Sequence, residues 1–117
     1  MDTTAAISIL VVDDDELFGR AMLRDLAKDG YQATFASSSE HALRAMEQRR
    51  FGVLVSDICM PGDDGISLVA AARDKHACNI AFVMSGQMTQ ERASQALDMG
   101  AAAIFEKPIN HQQFLSA

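Results

Sequence analysis

Five short apolar stretches are spaced along the chain, and the segments between them carry apolar residues with helical spacing. The stretches cover residues 7–13, 31–36, 51–57, 79–85 and 101–106, and they are rich in the β-branched residues that favour strands. After the first stretch, Phe18, Met22 and Leu26 recur every four residues, as in a helix that buries one face. The pattern predicts five strands alternating with helices.

Near-continuous apolar strands separated by helices are typical of a parallel sheet covered on both faces. We therefore predict an α/β protein with a (βα)5, doubly wound, five-stranded parallel sheet. Caps and breakers end the first helix at Asp29-Gly30, place the fourth over Thr89 to Met99 and start the fifth around Asn110. Residues 1–117 are expected to be one domain. Its last helix would have only about two turns, so we expect the N-terminal domain of a longer protein with that helix truncated.

Composition and charge exclude several function classes. The net charge is −6 and the chain has no Lys and Arg cluster, so direct binding to nucleic acid is not expected. No secretory signal or membrane-length apolar stretch is present, which predicts a cytoplasmic protein without membrane contact. The three histidines are widely spaced, which disfavours a histidine-based metal site.

Polar residues stand at the carboxyl ends of four predicted strands. They are Asp13 and Asp14, Asp57, Ser85 and Lys107. An open parallel sheet gathers its functional groups in the crevice outside these ends. The sequence therefore predicts one pocket with three carboxylates, a hydroxyl and an ammonium.

These residue types suit phosphoryl chemistry beside a metal ion. Asp13 and Asp14 at about 4 Å would repel by about 4 kcal/mol at an effective dielectric constant of 20, which a hard cation such as Mg²⁺ would offset. Asp57 beside such a metal is available as a nucleophile toward phosphorus, and Ser85 and Lys107 would donate to phosphoryl oxygens.

The four consecutive acidic residues from Asp13 to Glu16 and the other strand-end residues also have structural interpretations. For Asp15 and Glu16 we favour helix capping and stabilisation of the helix dipole. Taken singly, Asp57, Ser85 and Lys107 would be turn or solvated residues. Their joint placement at the strand ends favours the chemical interpretation.

The motifs at these positions resemble those of a known family. They are Val11-Val12-Asp13-Asp14-Asp15, Asp57-Ile58-Cys59-Met60-Pro61, Asp64-Gly65, Met84-Ser85-Gly86, Gly100-Ala101 and Lys107-Pro108. In this order, over nearly the whole chain, they resemble the receiver domains of two-component response regulators. The resemblance implies a flavodoxin-like sheet with strand order 2-1-3-4-5.

The resemblance also implies roles and partners. Asp57 would be the phosphoacceptor, with Ser85 and Lys107 on the phosphoryl oxygens. The ligands of Mg²⁺, or of Mn²⁺ in its place, would be Asp13, Asp14, Asp57 and the backbone carbonyl of Cys59. The donor would be a sensor histidine kinase or a histidine phosphotransfer protein, and the domain would be a signalling module that catalyses only its own phosphorylation and dephosphorylation. A homodimer through the fourth helix, fifth strand and fifth helix stays open.

Two positions depart from the family pattern. Ile104 stands three residues before Lys107, where the family usually has Tyr or Phe, and Phe105 follows it. Strand residues alternate between faces, so Phe105 cannot substitute for a side chain at 104 and is expected in the core. Asp63 stands where the family commonly has an apolar residue, and it makes the predicted loop after Asp57 unusually acidic.

Two other functions compete with this one. A haloacid-dehalogenase-like phosphatase would use Asp13 of the motif Asp13-Asp14-Asp15 as its nucleophile, but such enzymes carry a further acidic pair after their Lys and a cap insertion. A pseudo-receiver would bind partners without phosphorylation, against which the intact acidic residues speak. Trapping a labelled phosphoryl group after reaction with acetyl phosphate distinguishes the three functions. Label on Asp57 indicates a receiver, label on Asp13 indicates the phosphatase, and no label indicates the pseudo-receiver.

Overall fold

A five-stranded sheet forms the centre of the computed structural model, which describes residues 7–60, 63–74, 78–86 and 89–107. Its strands are β1 (Ser8–Val12), β2 (Gln32–Ala36), β3 (Phe51–Asp57), β4 (Cys78–Ser85) and β5 (Ala103–Glu106). The spatial order is β2-β1-β3-β4-β5, and every pairing is parallel. The predicted strand order 2-1-3-4-5 is confirmed.

Four described helices connect these strands. They are α1 (Glu16–Lys28), α2 (Ser39–Gln48), α3 (Gly65–Asp74) and α4 (Gln90–Asp98). Asp15, as expected, caps α1: its carboxylate accepts a hydrogen bond from the Phe18 amide at 3.1 Å. The predicted fifth helix falls outside the described residues. In the part of the chain that is described, no helix combines the length and the apolar character needed to cross a membrane.

Strand alternation divides the core into two layers. On one face, Leu10, Leu54 and Val83 pack with α2, α3 and α4. On the other, Val11, Val55 and Met84 pack with α1. Because the pleat sends successive side chains to opposite faces, the middle of each central strand is apolar on both sides, and the polar residues of the predicted site lie at or after its carboxyl end.

Two differences from the sequence prediction are larger than a shift of one residue at a strand end. β5 begins at Ala103 rather than Ala101, because the Ala101 amide donates to the Ala96 carbonyl at 3.0 Å and so closes the end of α4. Gly100 makes this closure with φ +111°, a conformation that L side chains rarely adopt. The segment after Asp57, predicted as a loop, contains a short antiparallel pair of Cys59–Met60 with Asp63–Asp64.

Gly65 lies where α3 starts against the end of β3. A Cβ at this position would stand 1.9 Å from the Asp57 carbonyl oxygen, and the Gly65 amide donates to the Ile58 carbonyl at 3.1 Å. A backbone oxygen cannot rotate away as a flexible side chain can. Only glycine, which has no Cβ, therefore allows α3 to start this close to the end of β3.

We expect Gly65→Ala to lower the free energy of unfolding by about 2 kcal/mol or more, since the clash must be relieved by moving backbone. Gly86→Ala is the matched control, because a Cβ there meets nothing within 4 Å and an ordinary backbone conformation makes Gly→Ala neutral or mildly stabilising. Urea unfolding of both variants measures the difference. Equal stabilities would contradict this account of Gly65.

Candidate functional site

The carboxyl ends of β1, β3, β4 and β5 form one edge of the sheet. Asp13 follows β1, Asp57 ends β3, Ser85 ends β4 and Lys107 follows β5. The register pairs Asp57 with Met84 and Ser85 with Glu106, so the strands finish at the same level. The edge therefore brings together polar residues that are far apart in the sequence.

Lys107 connects the two buried carboxylates of this edge. Its Nζ lies 2.6 Å from Asp13 Oδ2 and 3.4 Å from Asp57 Oδ2. The side chains of Lys107, Asp13 and Asp57 are 21%, 0% and 7% exposed. The other oxygen of Asp13 accepts from the Asp15 amide at 2.9 Å. The charge of the most buried carboxylate is therefore matched by an ammonium and a backbone donor.

Asp14 completes an acidic cluster with Asp13 and Asp57. Oxygens from the three carboxylates lie within 4.8 Å of one another, and Asp14 is exposed while the other two are buried. Carboxylate oxygens that converge at this spacing are the donor set of a hard divalent cation. Cys59, whose backbone carbonyl was predicted as a further ligand, begins the short antiparallel pair two residues after Asp57.

Ser85 is held beside Lys107 by the backbone. The Lys107 amide donates to the Ser85 carbonyl at 2.8 Å, and Ser85 is buried. This bond continues the pairing of β4 with β5 past the last strand residue. The predicted hydroxyl and ammonium thus stand on neighbouring strand ends.

The environment of Lys107 shifts its pKa. Burial alone lowers the pKa of the ammonium, but the hydrogen bond and charge of Asp13, together with Asp57, outweigh it and raise the pKa above 10.5. The group is consequently an ammonium throughout the neutral range.

One contact of this site was missed by sequence reasoning. The ring of Phe18 lies with its centroid 4.5 Å from Lys107 Nζ. Sequence periodicity assigned Phe18 only to the buried face of the first helix, because a period says which face a side chain occupies and not which distant residue it meets. Its place in the first turn after the acidic strand end was the available signal.

Ile104 and its neighbour Phe105 lie on opposite faces of the sheet at the end of β5. Ile104 packs against the core layer that contains α4 residues. Phe105 packs on the α1 side, with its ring edge-on to Phe82 at 5.6 Å and 76°. Phe105 is therefore half-buried against the core rather than fully inside it, and, as expected, it does not occupy the place of residue 104. Asp63 pairs with Met60 in the short antiparallel pair.

Comparison with known proteins identifies the family. Residues 9–117 match the family described as response regulator receiver domain. The chain belongs to this family. PetR of Rhodobacter capsulatus is 33% identical over 92% of this chain and 45% of its own length, and FleR of Pseudomonas aeruginosa is 29% identical over 94% and 23%. The receiver domain thus spans less than half the length of these relatives.

Solved structures agree with this assignment. A response regulator from Burkholderia pseudomallei with a phosphorylated aspartic acid, a calcium ion and citrate has a TM-score of 0.88 at 30% identity, covering 95% of this chain and 65% of that chain. A CheY-like receiver domain protein from Methanospirillum hungatei has a TM-score of 0.89 at 26% identity, covering 95% and 89%. The sheet and its connections are therefore those of receiver domains.

The raised pKa of Lys107 predicts a loss of stability at high pH. A group whose pKa is higher in the folded state stabilises that state fully below the unfolded value of about 10.5, and the stabilisation is lost as pH rises through the folded value. We expect the unfolding free energy of the wild type to fall relative to Lys107→Met above about pH 10.5. Lys28→Met, which removes an exposed lysine from α1, should follow the wild type. Parallel curves for wild type and Lys107→Met would refute the assigned role of the ion pair.

Proposed function

We propose that this receiver domain accepts a phosphoryl group on Asp57 from a phosphohistidine of a sensor histidine kinase or histidine phosphotransfer protein. The observation that carries the proposal is the cluster itself, in which Lys107 contacts Asp13 and Asp57 within an acidic triad. Asp57 suits the nucleophile better than Asp13. The side chain of Asp13 is fully buried, whereas that of Asp57 keeps a small exposed fraction.

In the proposed transfer, an oxygen of Asp57 attacks phosphorus in line with the P–N bond of the phosphohistidine. The P–O bond forms as the P–N bond breaks, and the electron pair goes to the imidazole nitrogen, which takes up a proton from solvent. Lys107 and the hydroxyl of Ser85 donate to the phosphoryl oxygens. Hydrolysis by water later releases phosphate and restores Asp57, so the domain catalyses only its own phosphorylation and dephosphorylation.

The proposed cofactor is Mg²⁺, with Mn²⁺ as a substitute, held by Asp13, Asp14, Asp57 and the carbonyl of Cys59. The convergence of three carboxylates supports this. When bound, the cation would supply positive charge to the phosphoryl group and offset the repulsion among the acids. A phosphorylated aspartic acid and a divalent ion also occur together in the Burkholderia structure.

We further propose that phosphorylation is transmitted to α4 and β5. A phosphoryl group on Asp57 would draw the Ser85 hydroxyl inward and shift the chain between Ser85 and Thr89, the residue that caps α4. Leu97 and Met99 at the end of α4 are about half exposed, which offers apolar area for the proposed homodimer. A beryllofluoride-activated dimer is known for the receiver domain of NtrC4, at 28% identity.

Acetyl phosphate with Mg²⁺ should add one phosphoryl group to the wild type, and reductive trapping followed by peptide mass spectrometry should place it on Asp57. Asp57→Asn should abolish the label. Asp14→Asn or a chelator should reduce it strongly, because the cluster loses a ligand or its cation. Glu91→Gln, which changes an exposed acid on α4, is the control and should label normally.

Two other outcomes would assign a different function. Label on Asp13 would favour the haloacid-dehalogenase-like phosphatase. A folded wild type that takes up neither acetyl phosphate nor beryllofluoride would favour the pseudo-receiver.

The transmission is measured separately by amide resonances. Beryllofluoride with Mg²⁺ should shift the resonances of residues 85–99 in the wild type and leave those of Asp57→Asn unchanged, since a ligand moves a two-state element only through differential interaction with its states. Resonances of the exposed α1 end near Lys28 are the internal reference. An unmoved α4 would refute the proposed switch while leaving phosphorylation intact.

A further inference from the structure

The ammonium of Lys107 meets an aromatic face as well as two carboxylates. Phe18 places its ring centroid 4.5 Å from Nζ. The ring is half-buried and packs against the core layer on the α1 side. Its backbone amide is bound by the Asp15 carboxylate. Both the ring and the backbone of Phe18 are therefore held in place independently of Lys107.

A cation within about 6 Å of a ring centroid is attracted by the negative face of the π-system. The attraction grows when water is excluded, and only 21% of the Lys107 side chain is exposed. A ring has a further property that a carboxylate lacks. It holds the ammonium without adding negative charge, so it does not repel an incoming phosphoryl group.

We propose that Phe18 is a positioning residue that holds the Lys107 ammonium over the strand-end carboxylates in the orientation needed to contact a phosphoryl group. The inference rests on the proposed function. When Asp57 becomes an acyl phosphate, its carboxylate charge moves outward onto the phosphoryl oxygens. The contact with Phe18 stays unchanged during that step. It keeps the flexible side chain of Lys107 from turning out into solvent.

Three variants separate the ring face from simple packing. Phe18→Leu keeps an apolar side chain but removes the π-system, Phe18→Tyr keeps it, and Leu17→Ala changes the adjacent residue, which is 84% exposed. Beryllofluoride binding in Mg²⁺, followed by fluorine resonances, should weaken about two- to tenfold in Phe18→Leu. Phe18→Tyr and Leu17→Ala should bind as the wild type does. Phe18→Met serves as a second ring-free variant if Phe18→Leu is poorly folded.

A second readout needs no phosphoryl analogue or metal. The ring current of Phe18 should move the ε-methylene proton resonances of Lys107 upfield in the wild type and in Phe18→Tyr. The shift should vanish in Phe18→Leu and Phe18→Met, and Leu17→Ala should retain it. This readout tests the contact between the ring and the ammonium itself, and the beryllofluoride affinities test whether that contact positions Lys107.

The outcomes distinguish this inference from the function on which it rests. If wild type and Phe18→Leu bind beryllofluoride equally, or if Phe18→Tyr is as weak as Phe18→Leu, the positioning role is wrong and the phosphoacceptor function stands. Absence of the ring-current shift in the wild type also overturns the role. If the wild type binds no beryllofluoride while the shift is present, the proposed function fails, and the inference fails with it.

Discussion

The burial of Asp13 is the constraint on which the rest of this edge depends. A carboxylate with no exposed surface is tolerated only when its charge is compensated, and here Lys107 does so from the end of a strand three positions away in the sheet. Removing one partner of a buried pair generally costs about 3–5 kcal/mol. The ends of β1 and β5 must therefore stay at the same level, which in turn requires the full parallel register of the strands between them.

The charges of the described site are not balanced within the protein alone. Three carboxylates face one ammonium, so the cluster keeps two net negative charges. A divalent cation would neutralise that excess, whereas a hydrophobic edge of equal volume would be more stable in the absence of a cation. The edge is thus built for binding charged groups, and the apolar strands behind it supply the stability.

The sequence specified the sheet well because its determinants are local. Apolar runs, caps and the glycine after α4 each act within a few residues, and they predicted the strands and helices, whereas the strand order came from the resemblance of the motifs to receiver domains. The pairing of strand ends also predicted which residues share the site. The contact of Phe18 with Lys107 could not be read in this way, because it joins positions 89 residues apart in sequence and depends on where two side chains end. Likewise, the shift of β5 to Ala103 follows from a helix closure that competes for the Ala101 amide.

The close contact at Gly65 links the helix layer to the reactive edge. Because the first residue of α3 lies directly against the carbonyl of Asp57, that backbone has no slack in the direction of the helix. A push on α3 from outside would be transmitted to the carboxylate as a rigid displacement rather than absorbed by side-chain rotation. The start of α3 and the end of β3 therefore keep a common position, and a change in one must be matched by the other.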